Sequence, residues 1–176
     1  MCVVCYLSTD RIIDDIPFDE NDRKFNIKRT EKHPACLTKR FVYYCGAAQG
    51  CGCGFGNMNI TEEILQKTEQ ELSAGKLTDE TAWLWWNQQQ PPPTEKDEFD
   101  RMAGEIRESH RDTAALYQLI EDTVKEGFDC ELLACWAGDE DKQVSETKDI
   151  HIDRESIDVD FTVAINYVIF LYRFSK

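Results

Sequence analysis

The spacing of apolar residues changes twice along this chain, and the order of those changes restricts the fold more than any other feature. Segments with the alternation typical of β-strands lie towards both ends, and segments with three- and four-residue spacing lie between them. Strands, then helices, then strands favour an α+β fold over alternating β and α units. We therefore predict a largely antiparallel sheet from N- and C-terminal strands, with a central helical segment packed on it.

Segments rich in β-branched and aromatic residues predict the individual strands. They cover residues 2–8, 24–29, 40–45, 128–136 and 161–174, with a shorter strand around Ile150 and Ile152. The last segment is apolar on both faces, which predicts a strand inside the sheet with a neighbour on each side. Residues 138–149 are predicted to form an acidic loop.

The middle of the chain predicts three helices. The first covers residues 61–74, and the second starts after Thr78 and ends before the proline run at 91–93, which cannot be helical. The third and longest covers residues 95–126, where an apolar stripe recurs at helical spacing. The length of the chain predicts a single domain over residues 1–176.

Charge and cysteine content restrict the compartment and the partners. The 34 acidic and 20 basic residues give a net charge of −14. This charge repels phosphate backbones and anionic membranes, so we expect no nucleic acid and no membrane as partners. No signal segment is visible and no apolar run is long enough for a membrane span. We expect a cytoplasmic protein whose eight cysteines are reduced thiols.

One segment opposes the overall charge. Residues 23–40 contain seven basic residues and one acidic residue. The basic side chains either point outward from a strand pair and meet acidic neighbours, or form a site for an anion or an acidic partner. The sequence leaves both interpretations open.

A cysteine- and glycine-rich loop at residues 45–56 is the segment best suited to chemistry. It holds five of the nine glycines and three of the eight cysteines. One glycine separates Cys51 from Cys53, so both thiols can face one point, and Cys45 is the nearest third candidate. We predict a ligand or thiol site here, for an unknown small molecule or protein. A structural turn with buried cysteines and a metal site are the alternatives.

A metal site in this loop would lack a clear fourth ligand. Zinc usually takes four ligands; Cys45, Cys51 and Cys53 supply three, and Cys36 or a residue of another strand could supply the fourth. No cofactor is therefore predicted, and zinc is kept as an alternative. Cys2 and Cys5 have the spacing of half a zinc knuckle, but residues i and i+3 of a strand point to opposite faces and cannot share an ion.

The sequence does not decide whether the chain is an enzyme. A nucleophilic cysteine needs a base and a lowered pKa, and nothing pairs His33, His110 or His151 with a thiol. The Met-Cys start is shared with class II glutamine amidotransferases, whose cysteine is an N-terminal nucleophile. Val3 and Val4 depart from the Met-Cys-Gly-Ile start of that class.

The Trp83–Trp86 region supports an alternative function, a non-catalytic protein-interaction module that also uses the acidic faces. On a helix, Trp83 and Trp86 share one face and Trp85 lies opposite. These side chains either pack against the sheet and the proline run, or form an aromatic surface for another chain.

Three motifs occur together in the first 60 residues. They are the Met-Cys start, the Ser8-Thr9-Asp10 triplet, and a Tyr-x-Gly…Gly-Cys-x-Cys-x-Phe loop that uses Tyr44, Gly46 and residues 50–55. In these motifs the chain resembles a group of small uncharacterised bacterial proteins. No activity is known for that group, so the resemblance implies no function.

Overall fold

The computed structural model describes residues 2–55, 60–87, 90–154, 157, 159 and 169–176. The strands are β1 (Val3–Thr9), β2 (Asn26–Arg29), β3 (Phe41–Gly46), β4 (Cys130–Trp136), β5 (Glu146–His151) and β6 (Phe170–Ser175). The helices are α1 (Glu62–Ser73), α2 (Asp79–Asn87) and α3 (Lys96–Lys125), and a 3-10 turn covers Gly52–Gly54. Within those ranges, no helix combines the length and the apolar composition needed to cross a membrane.

The six strands form one sheet in the order β2-β3-β1-β4-β6-β5. Neighbouring strands are antiparallel except β5 and β6, which are parallel. The predicted α+β class with a largely antiparallel sheet is confirmed. Strand β6 lies between β4 and β5, so the prediction of two neighbours is confirmed for its residues. The predicted strand residues 161–168 lie outside the described part of the chain.

Strand β5 corrects one prediction from the sequence. Residues 146–149 belong to the predicted acidic loop, but they pair with β6, Glu146 opposite Phe170 and Asp149 opposite Arg173. The strand lies at the edge of the sheet, and Ile150 is its single buried residue. An exposed edge strand needs no apolar alternation, because its backbone hydrogen bonds to β6 are enough to define it.

The chain divides into two compact units, residues 1–56 with 111–176, and residues 57–110. The first unit contains the sheet and the C-terminal half of α3, and the second contains α1, α2 and the N-terminal half of α3. The single domain over residues 1–176 stays a prediction.

Each face of the sheet in the first unit carries a cluster of buried apolar residues. On one, here named the first face, the sheet packs against α3 in a cluster that includes Cys5, Leu7, Tyr43, Cys45, Leu132, Tyr172, Phe174, Leu116 and Ile120. The opposite, second face carries a smaller cluster, which includes Val4, Tyr6, Leu37, Val42, Leu133 and Leu171. Each large apolar side chain buried in this way contributes about 1.5–3 kcal/mol to folding.

The second unit has a core of its own. Its buried residues are Ile60, Leu65, Trp85, Phe99, Ala103 and Ile106. The indole of Trp85 is fully buried, and its Nε1 donates a hydrogen bond to Thr68 Oγ1 at 2.9 Å. Trp83 and Trp86 lie on the other side of α2 and are each 61% exposed. The helical geometry predicted for the three tryptophans is therefore confirmed.

Candidate metal centre

The cysteine-rich loop follows β3 and turns back towards the start of β1. Ala47 N donates to Cys51 O at 3.1 Å, and Gly50 N donates to Ala47 O at 2.7 Å. Gly50 has a φ of +74°, a conformation that residues with a side chain rarely adopt. The 3-10 turn Gly52–Gly54 comes next and lies against β1.

Gly52 sets how closely the loop approaches β1. A Cβ atom at this position would lie 3.0 Å from Val3 O and 3.2 Å from Cys5 N, both backbone atoms. Only a residue without a side chain fits this contact without a shift of the backbone. The absence of a side chain at Gly52 thus brings Cys53 up to the beginning of β1.

Three thiols converge where the loop meets β1. The Sγ atoms of Cys2, Cys51 and Cys53 all lie within 4.8 Å of one another. Cys2 and Cys53 are exposed and Cys51 is partly buried. In the described part of the chain, no second group of three or more His, Cys, Asp or Glu side chains lies close enough together to hold a metal ion.

Cys45, the third candidate from the sequence, does not join the group. Strand alternation places it on the first face of the sheet, where it is fully buried opposite Cys5 of β1. Burial raises the pKa of the Cys45 thiol to about 12. Cys45 therefore has the surroundings of a core residue, while Cys51 and Cys53 do not.

Cys2 is the member of this candidate site that the sequence analysis missed. It lies in the group without Cys5, in agreement with the rule that these two positions cannot share an ion. The antiparallel register pairs Cys5 with Cys45, so the residues before Cys5 run alongside those after Cys45. A prediction of that pairing would have placed Cys2 beside the loop, but the sequence alone does not state which strands pair.

The surroundings of Cys53 favour its neutral thiol. Burial raises the pKa of the Cys53 thiol, while the backbone N–H of Val3, which donates to Cys53 Sγ at 3.1 Å, lowers it. Burial, and then the nearby Cys51 thiol, raise the pKa of Tyr44 to about 12. In the described part of the chain, the main influences on the pKa of Cys53 are burial, the Val3 backbone and the neighbouring Cys51 and Cys2 thiols.

A buried carboxylate fixes the loop from the helix side. Asp112 of α3 is 1% exposed, and its Oδ2 accepts from Ala48 N at 2.6 Å while its Oδ1 accepts from Phe25 N at 3.1 Å. Arg111 Nε contacts Asp112 Oδ1 at 2.9 Å. Asn26 Nδ2 adds a hydrogen bond to Ala47 O at 3.1 Å. The sequence analysis missed both polar anchors, because a single Asp on a helix carries no signal of what it contacts.

Comparisons with protein-family models, with curated proteins and with solved structures find no match to this chain. The resemblance to small bacterial proteins therefore stays a prediction.

Proposed function

We propose that this chain binds a thiophilic metal ion through the thiolates of Cys2, Cys51 and Cys53, and that the ion is zinc. The observation that carries the proposal is the approach of the three Sγ atoms to within 4.8 Å of one another. Zinc–sulfur bonds of about 2.3 Å in a tetrahedral site correspond to sulfur separations of about 3.8 Å. The three Sγ atoms therefore need to move only slightly closer together to bind one ion.

The alternatives from the sequence explain this arrangement less well. Cysteines that only fill a turn should be buried, but Cys2 and Cys53 are exposed. A nucleophilic thiol needs a lowered pKa, but the pKa of Cys53 is raised, because the part of its thiol that contacts the protein loses solvent. A divalent cation accounts for both features, because it displaces the protons and offsets the repulsion among the thiolates.

Three ligands leave one position of a tetrahedral ion for water or a small molecule. Zinc sites that act on or bind a substrate have this arrangement, whereas structural zinc sites usually have four protein ligands. Within the described residues, no fourth His, Cys, Asp or Glu belongs to the group. We therefore propose that the ion is also the point at which a small-molecule ligand binds.

Metal content and cobalt titration test the proposal. The purified chain should contain one zinc ion, and cobalt added to the metal-free protein should give a sulfur-to-cobalt charge-transfer band. Cys53→Ser should weaken cobalt binding strongly. Cys36→Ser is the matched control, because Cys36 is a partly buried thiol outside the group. Equal binding by the two variants, or no binding by the unmodified chain, would refute the proposal.

The exposed tryptophans support a second candidate function, binding to another protein. Trp83 and Trp86 share one side of α2, each 61% exposed, and Asp79 and Glu80 precede them in its first turn. Large exposed aromatic residues are enriched at protein interfaces. If this surface is the functional one, Trp83→Ser with Trp86→Ser should remove cross-linked partners, while Cys53→Ser leaves them unchanged. The opposite pattern would favour the metal site.

A further inference from the structure

The basic segment at residues 23–40 is neutralised only in part. Three of its lysines form ion pairs with carboxylates: Lys24 with Asp22 at 2.6 Å, Lys32 with Glu140 at 2.8 Å and Lys39 with Asp129 at 3.5 Å. These three follow the interpretation in which outward basic side chains meet acidic neighbours. Two arginines of the same segment, Arg29 and Arg40, meet no acidic neighbour in this way among the described residues.

Arg29 and Arg40 are both held on one aromatic ring. Their guanidinium carbons lie 4.7 Å and 5.0 Å from the centre of the Phe41 ring. Among the described residues neither guanidinium forms an ion pair with a carboxylate. Asp15 and Asp10 instead accept hydrogen bonds from the backbone N–H groups of the two arginines, at 2.8 Å and 3.0 Å. Two cations are thus fixed in position without a carboxylate partner.

A cavity of about 560 Å³ lies beside these arginines. Arg29, Arg40, His33 and Thr30 line it, and Glu31 is the one carboxylate on its lining in the described structure. His33 Nε2 is 3.0 Å from Lys39 O, a group that only accepts, so Nε2 is the nitrogen that donates in this contact.

The hydroxyl of Thr30 adds a donor to the same cavity. Thr30 Oγ1 already accepts a hydrogen bond from Lys32 N at 3.1 Å. Its O–H is therefore the part of the group that can bind a ligand oxygen. The lining combines two guanidinium groups and a hydroxyl, which are groups that donate hydrogen bonds to phosphate oxygens.

We propose that this cavity binds a phosphate group, either as inorganic phosphate or as a phosphate monoester. Guanidinium groups match the geometry of phosphate oxygens through two parallel N–H donors. Contact with Phe41 restricts both arginines before binding, which lowers the entropy lost on binding. The cavity is larger than a phosphate ion, so it has room for the organic part of a monoester. This proposal is independent of the metal site.

Titration calorimetry at low salt tests the phosphate proposal, with inorganic phosphate and phenyl phosphate as the two probes. Each should bind the unmodified chain, and tighter binding of phenyl phosphate would indicate a monoester as the natural ligand. Arg29→Gln and Arg40→Gln should each weaken binding about ten-fold or more, because each removes charged hydrogen bonds. Lys24→Gln is the matched control, since it removes the same charge from a lysine already paired with Asp22.

Two further variants separate loss of the ligand from loss of the fold. Arg29→Lys and Arg40→Lys keep the charge but remove the fork of donors, so they should bind less tightly than the unmodified chain and more tightly than the glutamine variants. Circular dichroism should show the same fold in all of them. Equal affinity in Arg29→Gln, Arg40→Gln and Lys24→Gln, or no binding of either probe up to about 10 mM, would overturn the proposal.

Discussion

At the scale of a single residue, Gly52 links the spacing of Cys51 and Cys53 in the sequence to the positions of their thiols in the structure. It separates Cys51 from Cys53, and it also lies against the backbone of β1. Its lack of a side chain therefore matters twice, since it leaves both thiols free to face one point and it lets Cys53 reach Cys2. The sequence indicated the first role, and the second depends on the neighbouring strand.

Gly52→Ala should disrupt the metal site. The new Cβ would lie 3.0 Å from Val3 O, so the loop must move away from β1 and Cys53 must move with it. We expect about 1–3 kcal/mol of lost stability from this overpacking, together with weaker cobalt binding. Gly104→Ala is the control, because its new methyl group would meet no atom within 4 Å and α3 should gain about 0.5–1 kcal/mol. Unchanged cobalt affinity in Gly52→Ala would show that the contact with β1 does not set the site.

Asp112→Ala should be strongly destabilising. The carboxylate of Asp112 accepts from the buried backbone N–H groups of Phe25 and Ala48, and the alanine leaves both without an acceptor. We expect a loss of about 2–5 kcal/mol in the free energy of unfolding, measured by urea denaturation. Asp122→Ala is the control, because Asp122 is an exposed residue of the same helix. A similar small loss in the two variants would contradict the anchoring role of Asp112.

At the scale of elements, the last strand was the clearest prediction from the sequence and also shows its limit. Apolar residues on both faces of β6 predicted two neighbouring strands, and β4 and β5 are those neighbours. The pattern does not give the degree of burial at each position. Phe170, at the start of β6, is only half-buried, while Leu171 is 2% exposed.

Substitutions in β6 should follow this difference in burial. Leu171→Ala should cost about 2–5 kcal/mol, as expected for a fully buried leucine. Phe170→Ala should cost less than the roughly 3–5 kcal/mol of a fully buried phenylalanine, because part of its ring is already in contact with solvent. Urea denaturation of the two variants measures the order. A larger loss for Phe170→Ala would mean that its contacts on the first face outweigh its exposure.

At the scale of the whole molecule, the sequence predicted the fold class and most elements, because each depends on a local hydrophobic pattern. It could not predict which strands are neighbours, and the third thiol depends on that pairing. Cys45 lies close to Cys51 and Cys53 in the sequence, but its side chain is buried on the first face of the sheet. Cys2 is distant from them in the sequence and close to them in space. The strand predicted around Ile150 begins earlier than expected, at Glu146, for a related reason, since pairing with β6 and not an apolar pattern defines residues 146–149.

Buried thiols should make the folded chain unstable in alkali. Burial raises the pKa of Cys45, Cys130 and Cys135 from 9.0 to about 12. Their contribution to stability is fully present below pH 9. It falls between pH 9 and 12, because there the unfolded chain loses protons that the folded chain keeps. Each thiol should lower the unfolding free energy by up to about 1.4 kcal/mol per pH unit in that window.

Urea denaturation at a series of pH values checks the alkaline instability. The unmodified chain should lose stability steadily above pH 9, and Cys135→Ala should lose it less steeply because one of the three thiols is gone. A free energy of unfolding that stays constant from pH 9 to pH 11 would contradict the burial of these groups.

X-ray absorption at the zinc edge tests the central claim most directly. The account predicts three sulfur neighbours at about 2.3 Å and one lighter neighbour from water or a small ligand, and it predicts that Cys2→Ser replaces one of the sulfurs with oxygen. The Cys2 variant is decisive, because Cys2 is distant in the sequence from Cys51 and Cys53 and lies near them where the loop contacts β1. A first shell of nitrogen and oxygen alone, or one that Cys2→Ser leaves unchanged, would contradict the proposed centre.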